Sequence, residues 1–560
     1  VSYRVRLDQR AQHRAEVTLT VAGAGEPLEL WMPVWTPGAY ELRTWGRNVT
    51  LVSASDGKGR ALAVARTSAS TFSVAAGTGP ISVVYRVYAA HASDDGSVLD
   101  GAHALINGSS LFLAVRGHER EPHQVRVELP PRWRLATALE DSGGARTAAT
   151  YEGLIDAPIE CGRFSEASVN VAGHELRIVL DGGAVPERLV RDVARIVETE
   201  ARIMGGLPFR RYVMIIHLTD APGRVAALEH AASTSILMPT TTLTDHESYD
   251  ELTYVVAHEL FHVWNAKRLR PAELVPYDLL HAQPSRALWI TEGVTEYFAH
   301  RAMLLSRRWS RASWLEHEGE EATRALEAAR LGATLEEAAQ LTWAPPDDNH
   351  GDWDAYYARG HLVALALDAA LRSASDGKAS LDEVMRGLDG EATRAGGVLP
   401  VDTEVLARAC DRVAPGVGAR LISWARGGDE PEKLVPVLAE LGLGLVIAPP
   451  QPRTTAGFVA EADGNGLRVV AVAPDGPASL AGLRPGDRIY GFDGGAAPFD
   501  HAGQIARRRP FTPLMLDVAR GRERLQLRVE LGTTMGIDCK LTLLPATPRV
   551  TRLREAMLAP

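Results

Sequence analysis

The chain has 560 residues, which at roughly 150 residues per domain suggests about three or four domains. Hydrophobic residues make up 46% and charged residues 23%, excluding a disordered chain, a collagen-like fibre and a coiled-coil rod. The net charge of −10 argues against nucleic acid as the main partner. No run of about 18 apolar residues occurs, so no transmembrane helix is expected. The three cysteines, Cys161, Cys410 and Cys539, are far apart and odd in number, so neither a disulfide framework nor a cysteine zinc site is expected. Lysine supplies only positions 58, 267, 378, 433 and 540 among 60 basic residues, a bias that fits GC-rich bacterial codon usage.

Residues 1–170 read as β structure. Short alternating runs at Tyr3–Leu7, Ala15–Val21, Leu28–Met32, Ile81–Tyr88 and Gln124–Leu129 are separated by turn residues such as Asp-Gly-Lys-Gly at 56–59. That spacing, without helical stretches, predicts a sandwich-like domain. The pattern changes at Pro186–Met204, which has helical spacing with proline near its start. Tyr212–Leu218 reads as a buried strand. Helical patterns then dominate: Tyr249–Lys267, Ala287–Leu305, Ser310–Ala329, Trp353–Ser373 and Leu381–Leu388. Gly-Gly-Asp-Glu-Pro at 427–431 reads as a linker, and strand signals return from 441 to 545.

His258-Glu259-Leu260-Phe261-His262 carries the chemistry. On a helix, positions i and i+4 share a face, so both imidazoles can reach one zinc ion. Glu259 follows the first histidine and would act as general base on water at the metal. Glu292, on the next predicted helix, can complete a His2Glu ligand set that leaves one position open. Glu296 lies one turn later and can hydrogen-bond the free ring nitrogen of a liganding histidine, His258 in the first instance. The competing reading is a core helix with incidental histidines and a solvated pair of glutamates; the apolar neighbours Trp289, Ile290, Val294 and Phe298 argue against solvation.

The two-helix arrangement resembles the gluzincins, the thermolysin-like metallopeptidases. The string HELFHVWNAKRLRP at 258–271 and Trp35-Thr36-Pro37-Gly38-Ala39-Tyr40 resemble the glycyl aminopeptidase family, whose members carry a PDZ domain. That resemblance implies further roles. Tyr357, in Tyr356-Tyr357-Ala358-Arg359-Gly360, would stabilise the oxyanion, with Tyr356 as the fallback. Glu229, in Ala226-Ala227-Leu228-Glu229-His230, would hold the substrate's free α-amine, a cationic partner for a buried carboxylate. Ser233–Met238 would be a substrate-facing edge strand. Related proteins more often carry glycines where Ala226 and Ala227 stand, so the two methyl groups alter how closely a substrate backbone approaches. Arg268 and Arg270 either face the cleft or simply favour a helix C-terminus. His217, His246, His281, His300, His350 and His361 stand outside any motif and are read as structural or solvated.

Further on, SLAGLRPGDRIYGFDG at 479–494 resembles a bacterial PDZ domain, a module that binds extended peptides by strand addition. Leu441-Gly442-Leu443-Gly444-Leu445 would supply its carboxylate-binding loop, and a domain that only packs on the catalytic part is the competing reading. The expected architecture is multidomain α+β: an N-terminal β-sandwich-like domain at 1–170, a thermolysin-like, mostly helical zinc peptidase domain at 171–430, a PDZ domain at 431–545 and a C-terminal tail at 546–560. The expected function is zinc-dependent removal of N-terminal residues, Gly or Ala, from peptides with a free N-terminus, using one zinc per chain. A peptide or protein C-terminus is a further candidate partner at the PDZ domain. The alternatives are a zinc endopeptidase of the same fold and a non-catalytic, PDZ-centred peptide-binding protein. The start at Val1, together with the resemblance, favours a periplasmic or secreted location over a cytoplasmic one.

Overall fold

A computed structural model describes residues 1–23, 25–90, 95–219, 225–329, 332–343, 355–427, 431–463, 466–498 and 501–559. The expected linker centre at 428–430, the start of the helix predicted from Trp353, and His350 lie outside the described residues.

The N-terminal region is β-rich. Ser2–Arg6, Arg14–Val21, Ile81–Tyr88, Val49–Ser55 and His123–Glu128 form most of a seven-stranded sheet, with Ser2–Arg6 pairing parallel to His123–Glu128. Burial alternates strictly along Arg14–Val21 and Ile81–Tyr88, so one face enters the core and the other meets solvent. Two four-stranded sheets accompany it. One joins Leu28–Trp31 and Thr71–Val74; the other joins Arg134–Ala136, Ile159–Gly162, His103–Ile106 and Val98–Leu99.

A five-stranded sheet follows in the order Ser165–Val171, His174–Asp181, Arg211–Thr219, Ser233–Pro239, Ala226–His230. Its three central strands are parallel, and the middle one, Arg211–Thr219, is buried over six consecutive residues, as expected for a strand covered on both faces. Ser233–Met238, expected at the edge, is interior. The chain turns back at Ala231–Ala232 and lays Ala226–His230 outside it, antiparallel. The edge strand is therefore the one that carries Glu229.

Helices make up the next portion. His246–Phe261 carries the HExxH motif and starts on Asp245, whose side chain accepts the Ser248 N–H at 2.8 Å. Thr295–Leu305 packs against it, with Phe261 and Phe298 stacked 4.3 Å apart. Ala355–Ala374 is buried on nearly every side, the mark of a helix enclosed by others.

At the C-terminal end, Phe458–Asp463, Gly466–Val472, Arg488–Phe492, Pro513–Arg520 and Glu523–Glu530 form a sheet with its own core, including Leu467, Val469, Ile489, Leu516 and Val529. Leu441–Leu445 does not form a loop there. Leu443–Ile447 is a strand paired with Cys539–Leu543, and Leu443 and Leu445 enter the large core shared with the helices. From Leu443 on, alternate amides face a ladder partner, because the alternating leucines bury as a strand. Residues 546–560, expected as a tail, contain the helix Pro548–Leu558, whose Leu553, Met557 and Leu558 enter that same core. All three cysteines are free and buried. Among the described residues no helix is long and apolar enough to cross a membrane.

Candidate active site

His258 and His262 lie one turn apart on the HExxH helix, and Glu292 faces both. The separations are 3.0 Å between the two Nε2 atoms, 3.3 Å from His262 Nε2 to Glu292 Oε2 and 3.6 Å from His258 Nε2 to the same oxygen. Ligand atoms 2.0–2.1 Å from one tetrahedral ion stand roughly 3.3 Å apart. The three atoms therefore fit one face of a zinc coordination tetrahedron, and they form one of the clusters able to hold a metal among the described residues.

The second nitrogen of each imidazole is engaged. His258 Nδ1 is 3.0 Å from Glu296 Oε2, which also accepts the Tyr254 hydroxyl. His262 Nδ1 is 3.0 Å from the Asn265 carbonyl. Both contacts fix the tautomer that presents Nε2 to a cation. Burial opposes charge on either ring. The facing carboxylates, Glu296 first for His258 and Glu292 first for His262, nonetheless raise both pKa values. Burial likewise opposes charge on Glu292, while His262 and His258 hold its carboxyl down at about 2. A divalent cation would take the place of those imidazole protons.

Glu292 sits in a π-helical turn, Ile290–Val294, that leads into Thr295–Leu305. The predicted single helix from Ala287 is thus widened where the carboxylate is needed, a common position for such turns. Asn265 stabilises the widening: its side-chain amide reaches Ile290 O at 2.7 Å, Thr291 O at 3.1 Å and Thr295 Oγ1 at 3.0 Å. Gly293 and Gly360 make the other close approach. A Cβ on Gly293 would lie 2.5 Å from the Gly360 carbonyl carbon, and one on Gly360 would lie 2.7 Å from Trp289 O. This backbone contact brings the helix with Tyr357 against the segment with Glu292. The Tyr357 ring lies 6.2 Å from that of His258 and is half-buried, whereas Tyr356 is only 1% exposed and sits in the core.

Glu259 is buried, and its Oε2 has no hydrogen-bond partner. Burial pushes its carboxyl up to about 7; a cation on the neighbouring ligands would draw that value back down. Glu229 is also buried, and its charge acts on both Glu259 and His262. The chain itself supplies a cation beside it: Lys267 Nζ lies 3.7 Å from Glu229 Oε1 and 3.0 Å from Asp156 Oδ1. Opposite, Gly38 (φ +108°) presses its backbone on Glu229, where a Cβ would sit 2.8 Å from Glu229 Cδ. Nearby Tyr40 has its phenol pKa raised by burial first, then by Glu292 and Glu229. The 35–40 loop of the N-terminal region is therefore part of this site. Trp35 anchors it, donating its indole N–H toward Asp278 O at 2.8 Å and His281 O at 3.0 Å.

Arg268 and Arg270 are committed elsewhere, to Asp389 at 2.5 Å and Glu152 at 2.8 Å. The sequence pattern assigns no role to Asn265, Lys267, Asp156 or Tyr254; Asn265 and Lys267 lie inside the 258–271 string, and nothing else hints at them.

Residues 2–163 match the M61 peptidase N-terminal domain, and residues 251–363 match the M61 glycyl aminopeptidase. A crystal structure of an aminopeptidase N family protein from Idiomarina loihiensis is similar over 100% of both chains, with 26% identity and a TM-score of 0.81. The M1 zinc metallopeptidase from Deinococcus radiodurans matches at 21% identity and a TM-score of 0.46, covering 76% of this chain and 92% of that one. No curated protein sequence matches the chain. Fold and family together define a metallopeptidase, a hydrolase of peptide bonds. Residues 2–163 and 251–363 thus carry the N-terminal domain and the glycyl aminopeptidase domain of the M61 family.

Proposed function

We propose that the chain is a zinc aminopeptidase that removes small N-terminal residues, Gly or Ala, from peptides, with one zinc at His258, His262 and Glu292. The observation that carries this reading is the closed triangle of ligand atoms beside the unpartnered Glu259 carboxylate oxygen. Zinc held there would polarise the scissile carbonyl and lower the pKa of water into the neutral range. Glu259 accepts the attacking water's proton at Oε2 and passes it to the leaving amine. The Tyr357 hydroxyl donates to the developing oxyanion; its pKa is raised by burial first and then by Glu292, so it stays a donor. Glu229 anchors the α-ammonium, with Gly38 closing the space behind it. Lys267, shared between Asp156 and Glu229, stands beside that carboxylate before substrate arrives. The sheet around Phe458–Glu530 is read as a PDZ-like module able to take a peptide or protein C-terminus.

The test is hydrolysis of glycyl and alanyl amides, with and without N-acetylation, by zinc-quantified protein and its Glu259→Gln variant. Turnover that requires both the free amine and Glu259 supports the reading. Turnover of acetylated peptides would instead establish an endopeptidase and remove Glu229 from its role. Near wild-type rates in metal-replete Glu259→Gln would overturn the general-base assignment. No turnover with zinc bound would favour a PDZ-centred binding protein.

A further inference from the structure

We propose a second divalent transition-metal site, held by His103, His217 and Asp181 and braced by Glu160, that fastens the N-terminal region to the catalytic sheet. It is independent of the catalytic reading above.

The residues come from two sheets. His103 pairs with Gly162 across adjacent strands, so Glu160, two residues from Gly162, projects from the same face as His103. Asp181 and His217 are direct partners in the parallel pair of the five-stranded sheet. By the same two-residue period, Leu105 shares the face of His103, Val179 that of Asp181, and Val213 and Ile215 that of His217. Those four apolar residues, with Ala136 and Phe164, form a small separate core between the sheets. The histidine–carboxylate cluster is the polar end of this apolar seam.

One ligand atom from each of His103, Asp181 and His217 lies within 4.8 Å of the others. Glu160 stands behind them, its Oε1 3.7 Å from His103 Nδ1 and its Oε2 3.3 Å from His217 Nε2. That arrangement leaves His103 Nε2 and His217 Nδ1 for the ion. Asp181 Oδ2 is 3.9 Å from His217 Nδ1, and Asp100 Oδ2 is 3.6 Å from His103 Nε2. A carboxylate that braces the second nitrogen of each imidazole is how metal-binding histidines are oriented. Imidazole and carboxylate donors suit zinc and its neighbours in the transition series more than calcium or magnesium.

Glu160, fully buried, and the two imidazole nitrogens it faces, His103 Nδ1 and His217 Nε2, do not close hydrogen bonds at these separations; an ion on the outer nitrogens would hold both rings in place to complete them. Orphaned buried polar atoms are costly and call for an explanation. The other buried cluster, His300–Glu318–His361, makes the contrast: each Glu318 oxygen already accepts from an imidazole, at 3.0 and 2.8 Å. Gly162 lets Glu160 and His103 come close, since a Cβ there would press within 3.2 Å of both Glu160 Oε1 and His103 Cβ.

The test counts bound metal on full-length protein, stripped with chelator and reloaded with zinc, beside His103→Gln, His217→Gln and a His258→Ala/His262→Ala double variant. The expected result is about two equivalents per chain in wild type and about one in each variant. A chelator-reversible rise in Tm should persist in the double variant and vanish when His103→Gln is added to it. If His217→Gln does not fold, Asp181→Asn carries the same comparison. A single equivalent in wild type that disappears in the double variant would overturn the proposal, as would two equivalents retained in His103→Gln.

Discussion

Gly360→Ala tests whether the spacing between the Tyr357 helix and the Glu292 turn sets the rate. The new Cβ would lie 2.7 Å from Trp289 O and 3.0 Å from Gly293 Cα. Ordinary contact begins near 3.4 Å, so the two segments must part by about 0.7 Å. Overpacking of this kind costs about 1–3 kcal/mol, partly offset by up to ~1 kcal/mol from replacing a helical glycine. The kinetic effect should be larger, because Tyr357 would withdraw from the ligand cluster; a displacement approaching 1 Å can cost up to about 100-fold. The expected outcome is a 10- to 100-fold fall in kcat on an alanyl amide, zinc retained and Tm slightly lower. Gly387→Ala is the control. It is a helical glycine with nothing within 4 Å of the new methyl, so it should stabilise by about 0.5–1 kcal/mol and leave kcat unchanged. Wild-type kcat in Gly360→Ala would refute the reasoning.

Two further outcomes are expected. Glu296→Gln weakens the 3.0 Å brace on His258 Nδ1, so zinc affinity should fall about 10- to 100-fold in competition with a chelator; unchanged affinity would dismiss the brace. Glu318 is held at about 2 against an ordinary 4.5, burial opposing its charge while His361 and His300 outweigh it. A depressed folded pKa gives stability that is complete above about 4.5 and lost as pH falls toward 2. The stability gap between metal-free wild type and Glu318→Gln should therefore narrow from pH 5 to pH 3 in urea unfolding, and a constant gap would contradict the assignment.

The parts of the site visible in the sequence are those held by one helix or one short stretch. His258, Glu259 and His262 are fixed relative to one another by helical pitch alone, and Glu292 and Glu296 by the next turn, so their pattern survives translation into space. The π-helical widening at Ile290–Val294 was hidden, because it depends on Asn265 reaching across from another segment. The edge position of Ala226–His230 was hidden for a similar reason: both it and Ser233–Pro239 read as short strands, and only the direction of the reversal decides which lies outside. Leu441–Leu445 misled as a glycine-punctuated loop, since in its ladder with Cys539–Leu543 the leucines bury as in any strand. His103 and His217 belong to no motif. They acquire meaning through two sheet registers and a seam between sheets, information that no local window contains.

The surroundings of Glu229 are built by the N-terminal region as much as by the catalytic one. Glu229 could not keep its present surroundings if Gly38 carried a side chain, and Gly38 reaches it because Trp35 is tied to the carbonyls of Asp278 and His281. Trp35 packs edge-on against Tyr277 and Trp343, and Tyr40 also meets Trp343 edge-on. An endopeptidase needs an open path on both sides of the scissile bond. Here backbone and aromatic rings press against the carboxylate that would hold the first residue, and the cation Lys267 stands beside it. Closure at that end argues for removal of terminal residues, and it ties the register of cleavage to how firmly the β region is docked.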